Sequence, residues 1–521
     1  MADDAGEVGV FSPVTLSCGR VLQNRLVKVA LYEHLADFHG GPPNTHHFSL
    51  YSKWAQYDWG MVLTGNVQVS KTHLSLGRDV VIPQELSDES LQPFKQWAES
   101  MRGSGESGTL KLIQLSHGGR QSVNFIGGRP LFQPPFSPGS IPVKAKRPGW
   151  FTDALHSFAF QTPVPMTLED IDEVVEAFVR GARVASEAGF DGVQLHAAHG
   201  YLLAQFISPL SNNRTDDYSA HQNKALRLLH RIAVAIRKAV PQDFVLGIKI
   251  NSADYASSDQ PNSEERVLDH LRTIAAWGGI DFVEVSGGDY EKPDFVSVGS
   301  PRQALFARFS KAAMETLESV KSVTPSAPLP LILLTGGLRT PELLHTVLAS
   351  RHAHLLGIGR SSVLCPDLPH ILKQRELAGT LRSEPGWSSP FRREPDLSAW
   401  ATIRKYLPFI PLLGAGVNVA WHNVAMRRLA NTPSPIKGME GVLNPEHALG
   451  PIGVLFWMWV WVDVTPARAA SPAYLAAVDR GSTVGRCLRI MGNIGVTVPQ
   501  DPGPNSSTMI MPLYLKTISP V

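Results

Sequence analysis

Apolar runs and helical faces alternate along the chain up to about Leu377. The run RLVKVA at 25–30 predicts a strand, 44–57 a helix, and MVLTG at 61–65 a second strand. A helix over 87–101, with Ser87 as its N-cap, precedes the strand LKLIQL at 110–115 and a long Gly/Pro-rich loop. The clearest helix starts at Thr167. Ile171, Val174, Val175, Phe178, Ala182 and Ala185 fall on one face, and Thr167 with Asp170 has the spacing of a capping box. Gly189 ends this helix, and GVQLH at 192–196 is the next strand.

The alternation continues with a strand at 245–249, a helix over Ser263–Trp277 and a strand at 282–285. Leu331–Thr335 follows. Thr340 caps the next helix, with Pro341 at its first position, and Leu355–Ile358 is the last strand before a helical segment after Pro366. Strand and helix at this spacing force parallel pairing. Eight such units over roughly 350 residues predict a (β/α)8 TIM barrel with enlarged loops; an open doubly wound sheet is the competing arrangement.

The last third of the chain follows another pattern. Residues 382–396 are rich in Pro, Ser and charge and predict a linker. The segments 407–421 and 448–462 are uncharged and apolar, yet shorter than the ~20 residues a spanning helix needs. Two readings stay open: packing against the barrel, or peripheral membrane contact through Phe456, Trp457, Trp459 and Trp461. The expected organisation is a barrel over 1–380, a linker and packed helix over 381–430, and a C-terminal extension of unknown role over 431–521.

Composition narrows the function classes. Forty-eight Lys and Arg against 46 Asp and Glu leave a net charge of +2, without the basic excess of a nucleic-acid binder. Hydrophobic residues at 43% and charged residues at 18% describe a folded chain with a large core. Cys18, Cys365 and Cys487 lie far apart, which argues against a zinc ribbon or a disulfide framework. The acidic N-terminus is neither a secretory signal nor a transit peptide, so a cytoplasmic location is expected, with membrane association as the alternative.

Two motifs invite chemistry. The GxGxxG at 103–108 follows a helix and precedes a strand, the reverse of a dinucleotide fingerprint, and reads as a loop. His196 and His199 stand at a strand end. Alone they fit metal ligands or structural histidines equally. The sequence around them, VQLHAAHGYLLAQFISPLSNNRTDDYS, resembles the Old Yellow Enzyme family of FMN-dependent NAD(P)H oxidoreductases. QNRLV at 23–27, LIQLSHGGRQS at 112–122, GIKINSADY at 247–255, TGGLRT at 335–340 and GIGR at 357–360 match in order. The resemblance covers roughly residues 10–425, including the stretch LPFIPLLGAGVNVAWHNVAMRRLA of fungal-type relatives, and implies the same barrel fold.

The resemblance implies FMN as cofactor and NAD(P)H as hydride donor. Gly336, Gly337, Gly359 and Arg360 would hold the phosphate, Lys249 and Gln114 the pyrimidine edge of the flavin, and Ala30, Tyr32 and Gly65 would line it. His196 and His199 would bind the oxygen of an enone-like small molecule and Tyr201 would protonate its α-carbon, with no metal. A cation closing an otherwise apolar strand needs an anionic partner, which is the residue-level argument for Lys249. Tyr32 departs from the pattern, because relatives usually carry a small Thr, Ser or Cys there. The expected activity is reduction of an activated C=C bond. A non-redox isomerase and a non-catalytic membrane-associated flavoprotein are the alternatives, and a homo-oligomer stays open.

Overall fold

A computed structural model describes residues 8–103, 108–143, 150–221, 223–251, 263–286, 301–323, 329–381, 391, 416–431, 454, 458 and 459. Eight parallel strands close into a barrel: β1 Leu26–Lys28, β2 Met61–Gln68, β3 Leu110–Ser116, β4 Gly192–Ala197, β5 Val245–Asn251, β6 Phe282–Ser286, β7 Leu331–Thr335 and β8 Leu355–Ile358. Closure is direct, since β1 pairs with β2 through Val27 and Met61 and with β8 through Val27 and Gly357. The fold class expected from the alternation is the one observed. β1 is shorter than the predicted strand, and β2 runs three residues further, to Gln68, where Val67 and Gln68 gain a second partner in Val80–Val81.

Helices cover the outside: α1 Thr45–Ala55, α2 Asp88–Ser100, α3 Leu168–Glu187, α4 Arg227–Ala239, α5 Ser263–Trp277, α6 Pro301–Val323, α7 Pro341–Ala349 and α8 Leu368–Leu377. α3 starts as its sequence predicts. Thr167 Oγ1 accepts from the Asp170 amide at 3.1 Å, and the Asp170 carboxylate accepts from the Thr167 amide at 2.8 Å. Two donors that a helix start leaves without partners are thereby satisfied. A further helix, α9 Gly416–Asn431, packs on α1.

A hairpin of Val14–Thr15 and Val21–Leu22, absent from the sequence expectations, closes the N-terminal end of the barrel. Leu16 and Leu22 join Val27, Met61, Leu110, Val245, Phe282 and Leu355 in one buried cluster. The hairpin is held by the Cys18 amide, which donates to Asp281 Oδ1 at 2.7 Å. Among the described residues no helix is long and apolar enough to cross a membrane. Most of the Trp-rich segment 448–462, and everything beyond it, lies outside the described residues.

Candidate functional site

Side chains alternate between the two faces of a strand, so the inward positions of each barrel strand are spaced by two. Leu112, Val245, Phe282 and Leu333 point into the apolar cluster. One or two steps towards the C-terminal ends, the same strands carry Gln114, Lys249, Glu284 and Thr335. Gln114 Nε2 donates to Gln194 Oε1 on β4 at 2.7 Å, and Gln194 Nε2 donates to Glu284 Oε2 at 2.8 Å. Lys249 Nζ lies 2.9 Å from Glu284 Oε1, and the lysine and glutamate side chains are 5% and 0% exposed. Four strands thus contribute to one buried polar chain that ends on an ion pair. Gly247 makes room beneath it, because a Cβ there would run into the Phe282 ring.

Directly above this layer, the end of β4 and the loop after it carry His196, His199 and Tyr201. The His196 ring stands 4.7 Å from the Tyr201 ring and 5.2 Å from the His199 ring, centroid to centroid. His196 and Tyr201 are buried. Burial pushes both histidines well below their ordinary pKa; the neighbouring His199 adds to this for His196, and the Lys249 charge adds to it for both. Both rings are neutral at physiological pH, each with one N–H to donate. The turn that carries them is tight: His199 has φ +57° and Gly200 φ +69°. Gln121 Nε2 donates to the His199 carbonyl at 2.9 Å, Gln205 Nε2 to the Gly200 carbonyl at 2.7 Å, and Ser286 Oγ lies 3.3 Å from His199 Nε2. Gln205 Oε1 also accepts from the Arg120 amide at 3.2 Å, which ties the β3 and β4 loops into one support.

The loops after β7 and β8 form the opposite wall. Gly336 and Gly337 have φ of +128° and +73°, and no atom lies within 4 Å of a Cβ built on Gly336. The space around Gly336 is open, as an anion cradle requires. Gly359 and Arg360 lead into the short helix Ser361–Leu364, which is fixed from outside by Trp54 Nε1 donating to the Ser362 carbonyl at 2.8 Å.

The remaining sequence-chosen residues occupy the first-strand side. Ala30 is half-buried and packs on the apolar cluster. The Gly65 amide is used internally. It donates to Glu33 Oε1 and to Tyr51 Oη, each at 2.8 Å, and a Cβ at Gly65 would collide with Glu33. Tyr32 Oη donates to Asp79 Oδ2 at 3.3 Å, so its hydroxyl serves a buried carboxylate. Burial pushes Asp79 up to about 6, although it also accepts from Gln68 and from the amides of Ser75, Leu76 and Gly77. Gln194, Glu284, Thr335 and Ser286 were missed by the sequence reading. Their signal was there: each is a polar residue at an inward position of an otherwise apolar strand, the criterion that selected Lys249. Among the described residues no three His, Cys, Asp or Glu side chains gather in a way that could hold a metal ion.

Comparison with known proteins agrees with this fold. Residues 9–377 match the family described as NADH:flavin oxidoreductase / NADH oxidase. The chain is 36% identical over 361 residues to the NADH-dependent flavin oxidoreductase iliE of Neonectria sp. (strain DH2), a match that covers 68% of this chain and 46% of that protein, about half its length. It is 32% identical over 366 residues to the iliE protein of Hypocrea jecorina (strain QM6a), covering 70% and 88%. In fold it is similar to the old yellow enzyme homologue of Zymomonas mobilis, with TM-score 0.56, 18% identity, and 74% and 100% of the two chains covered. Morphinone reductase superposes with TM-score 0.54 at 19% identity, covering 73% and 93%.

Proposed function

The chain belongs to the NADH:flavin oxidoreductase / NADH oxidase family, and on that premise we propose that it reduces the activated C=C bond of an α,β-unsaturated carbonyl compound with NAD(P)H and FMN. The single observation that carries the substrate class is the juxtaposition of two neutral histidines and a tyrosine at one strand end, above a buried ammonium.

The residues fit FMN. Its phosphate suits the open backbone at Gly336, after β7, and the Arg360 guanidinium, after β8. His196 Nδ1, Ser116 Oγ and Thr335 Oγ1 are buried polar atoms without a hydrogen-bond partner among the described residues, and they fit the heteroatoms of a polar ring. FMN, when bound, supplies the hydride-carrying centre between NAD(P)H and substrate.

His196 and His199 each donate one N–H to the carbonyl oxygen, drawing electron density from the alkene so that its β-carbon accepts hydride. Burial keeps both rings neutral, so they polarise the oxygen without first giving it a proton. Tyr201 delivers its phenolic proton to the α-carbon. Lys249, held by Glu284, sets positive charge against the pyrimidine edge of the cofactor. Gln121 and Gln205 hold the His199–Gly200 turn, which keeps the three groups at one height.

The test is spectroscopic. The purified protein is expected to be yellow, to release FMN on heating, to bleach anaerobically with NAD(P)H, and to recover its colour when an enone such as 2-cyclohexenone is added. Recovery with oxygen but with no enone tested would remove the substrate class and leave the flavin oxidoreductase.

A further inference from the structure

β2 carries an irregularity. Leu63 pairs with Leu112 on β3, and the next pair is Asn66 with Gln114, so Thr64 and Gly65 together face the single residue Ile113. The extra residue makes a β-bulge. In a regular ladder Gly65 would pair with Gln114, and Asn66 would face the covering helices. With the bulge, Asn66 takes the side that Gln114 takes, the barrel interior.

Three side chains hold the bulge. Thr64 Oγ1 accepts from the Gln114 amide at 3.1 Å and donates to the Gly65 carbonyl at 2.9 Å. Glu33 and Tyr51 take the Gly65 amide, and Tyr51 Oη donates to Glu33 in turn. A Cβ at position 65 would meet Glu33 and the Leu31 carbonyl, so the bulge needs glycine there.

Asn66 itself is 8% exposed, and among the described residues its carboxamide makes no hydrogen bond. A buried carboxamide in that state is costly to keep, and it offers both a donor and an acceptor to a ligand. Its neighbours select the ligand. Gln114 turns Nε2 to Gln194, which leaves Oε1 to face the mouth, and Lys249 stands two strands beyond Gln114. Around the barrel the order is carboxamide, carbonyl oxygen, ammonium. The pyrimidine edge of an isoalloxazine carries C4=O, N3–H and C2=O in one row: acceptor, donor, acceptor. The first-strand wall supplies no rival for C4=O from Tyr32 Oη, which donates to Asp79, or from the Gly65 amide, which is taken by Glu33 and Tyr51.

We infer that Asn66 is a further cofactor-binding residue: its Nδ2 donates to the flavin C4=O, at the end of the row that Gln114 and Lys249 continue along N3–H and C2=O. The inference rests on the reading of Gln114 and Lys249 as the pyrimidine-edge residues. A donor at C4=O favours the reduced flavin, whose pyrimidine gains negative charge, so the bulge sets the reduction potential as well as the fit.

The test compares the full FMN-loaded chain with N66L by infrared difference spectroscopy of the flavin carbonyls and by redox titration. N66L is expected to raise the C4=O stretch and leave the C2=O stretch in place. It is also expected to weaken reduced relative to oxidised FMN about tenfold, which lowers a two-electron midpoint potential by about 30 mV. An unmoved C4=O stretch, an unmoved potential, or a joint displacement of both stretches overturns the proposal, the last because it marks a distorted pocket. If N66L fails to fold or to take up FMN, the smaller N66V makes the same comparison with the same outcomes. Q114L separates the two levels. Displaced carbonyl stretches or weakened FMN binding in Q114L keep the pyrimidine-edge reading even where Asn66 fails; wild-type stretches and wild-type FMN affinity in Q114L remove the reading itself.

Discussion

Up to the level of Leu112 and Leu333 the barrel interior is hydrocarbon; one or two steps further along the strands it holds two amides, a carboxylate and an ammonium. The lower half gains stability with every side chain, about 1.5–3 kcal/mol for each fully buried Leu, Val or Phe. The upper half gains little net stability. A buried ion pair roughly breaks even against the cost of desolvating it, and each amide must find its partner or cost energy. The lower half therefore stabilises a scaffold on which the upper half can hold charge in a fixed place.

Predictions test whether the two halves separate as cleanly as their chemistry implies. The largest effect is expected at the mouth. Tyr201→Phe should spare flavin reduction by NAD(P)H and slow the alkene half-reaction by about 10²–10⁴-fold. Stopped-flow resolves the two halves, and equal slowing of both would mean that the tyrosine supports the site rather than acting in it. Next, Glu284→Gln leaves the Lys249 charge buried without its counter-ion and should cost about 3–5 kcal/mol in urea unfolding. It should also perturb the flavin spectrum. Leu112→Ala, from the lower half, should cost about 2–5 kcal/mol with the spectrum unchanged. A spectral shift in Leu112→Ala would show that the tiers are coupled.

The smallest effect is in pH. His34, His47, His117 and His422 are each held near 3 by burial, against an ordinary value of 6.5. A base with a lowered folded pKa contributes stability that is complete above 6.5 and is lost as pH falls from there towards 3. Each histidine should cost about 1 kcal/mol per pH unit in that window. The apolar cluster of the lower tier holds no histidine, so this acid sensitivity belongs to the helices and loops around it. Urea midpoints at pH 7.5 and 5.5 measure the slope. His47→Gln with His117→Gln should flatten it, and an unchanged slope would place the sensitivity elsewhere.

The periodicity of the chain was enough to read all eight strands and the capping of α3, because parallel strands and their covering helices are dictated by local pattern. Strand ends were less legible. β2 extends to Gln68 because Val80–Val81 pairs with it, a contact between distant loop residues that no window of sequence contains. At the site, His196, His199 and Tyr201 stand together because one turn carries them, which the sequence displays. Gln194 and Glu284 escaped notice because a single polar residue in GVQLHA or FVEVS looks like noise until the register sets it beside Lys249. Tyr32 was expected against the flavin. Its hydroxyl donates to Asp79, a partner 47 positions away that the sequence does not display.

The pairing of β1 with β8 has a consequence in time. Arg25, beside β1, donates to the His354 carbonyl beside β8 across 329 positions, and Cys18 reaches Asp281 across 263. Ribosomes add about 5–20 residues per second, so β1 waits on the order of 15–60 s for the strand that completes it. During that interval Val27 and Val29 have only part of their apolar lining, and one edge of β1 lacks its neighbour. The seam is thus the last part of the barrel to form during synthesis, and the nascent chain is most prone to mispair there.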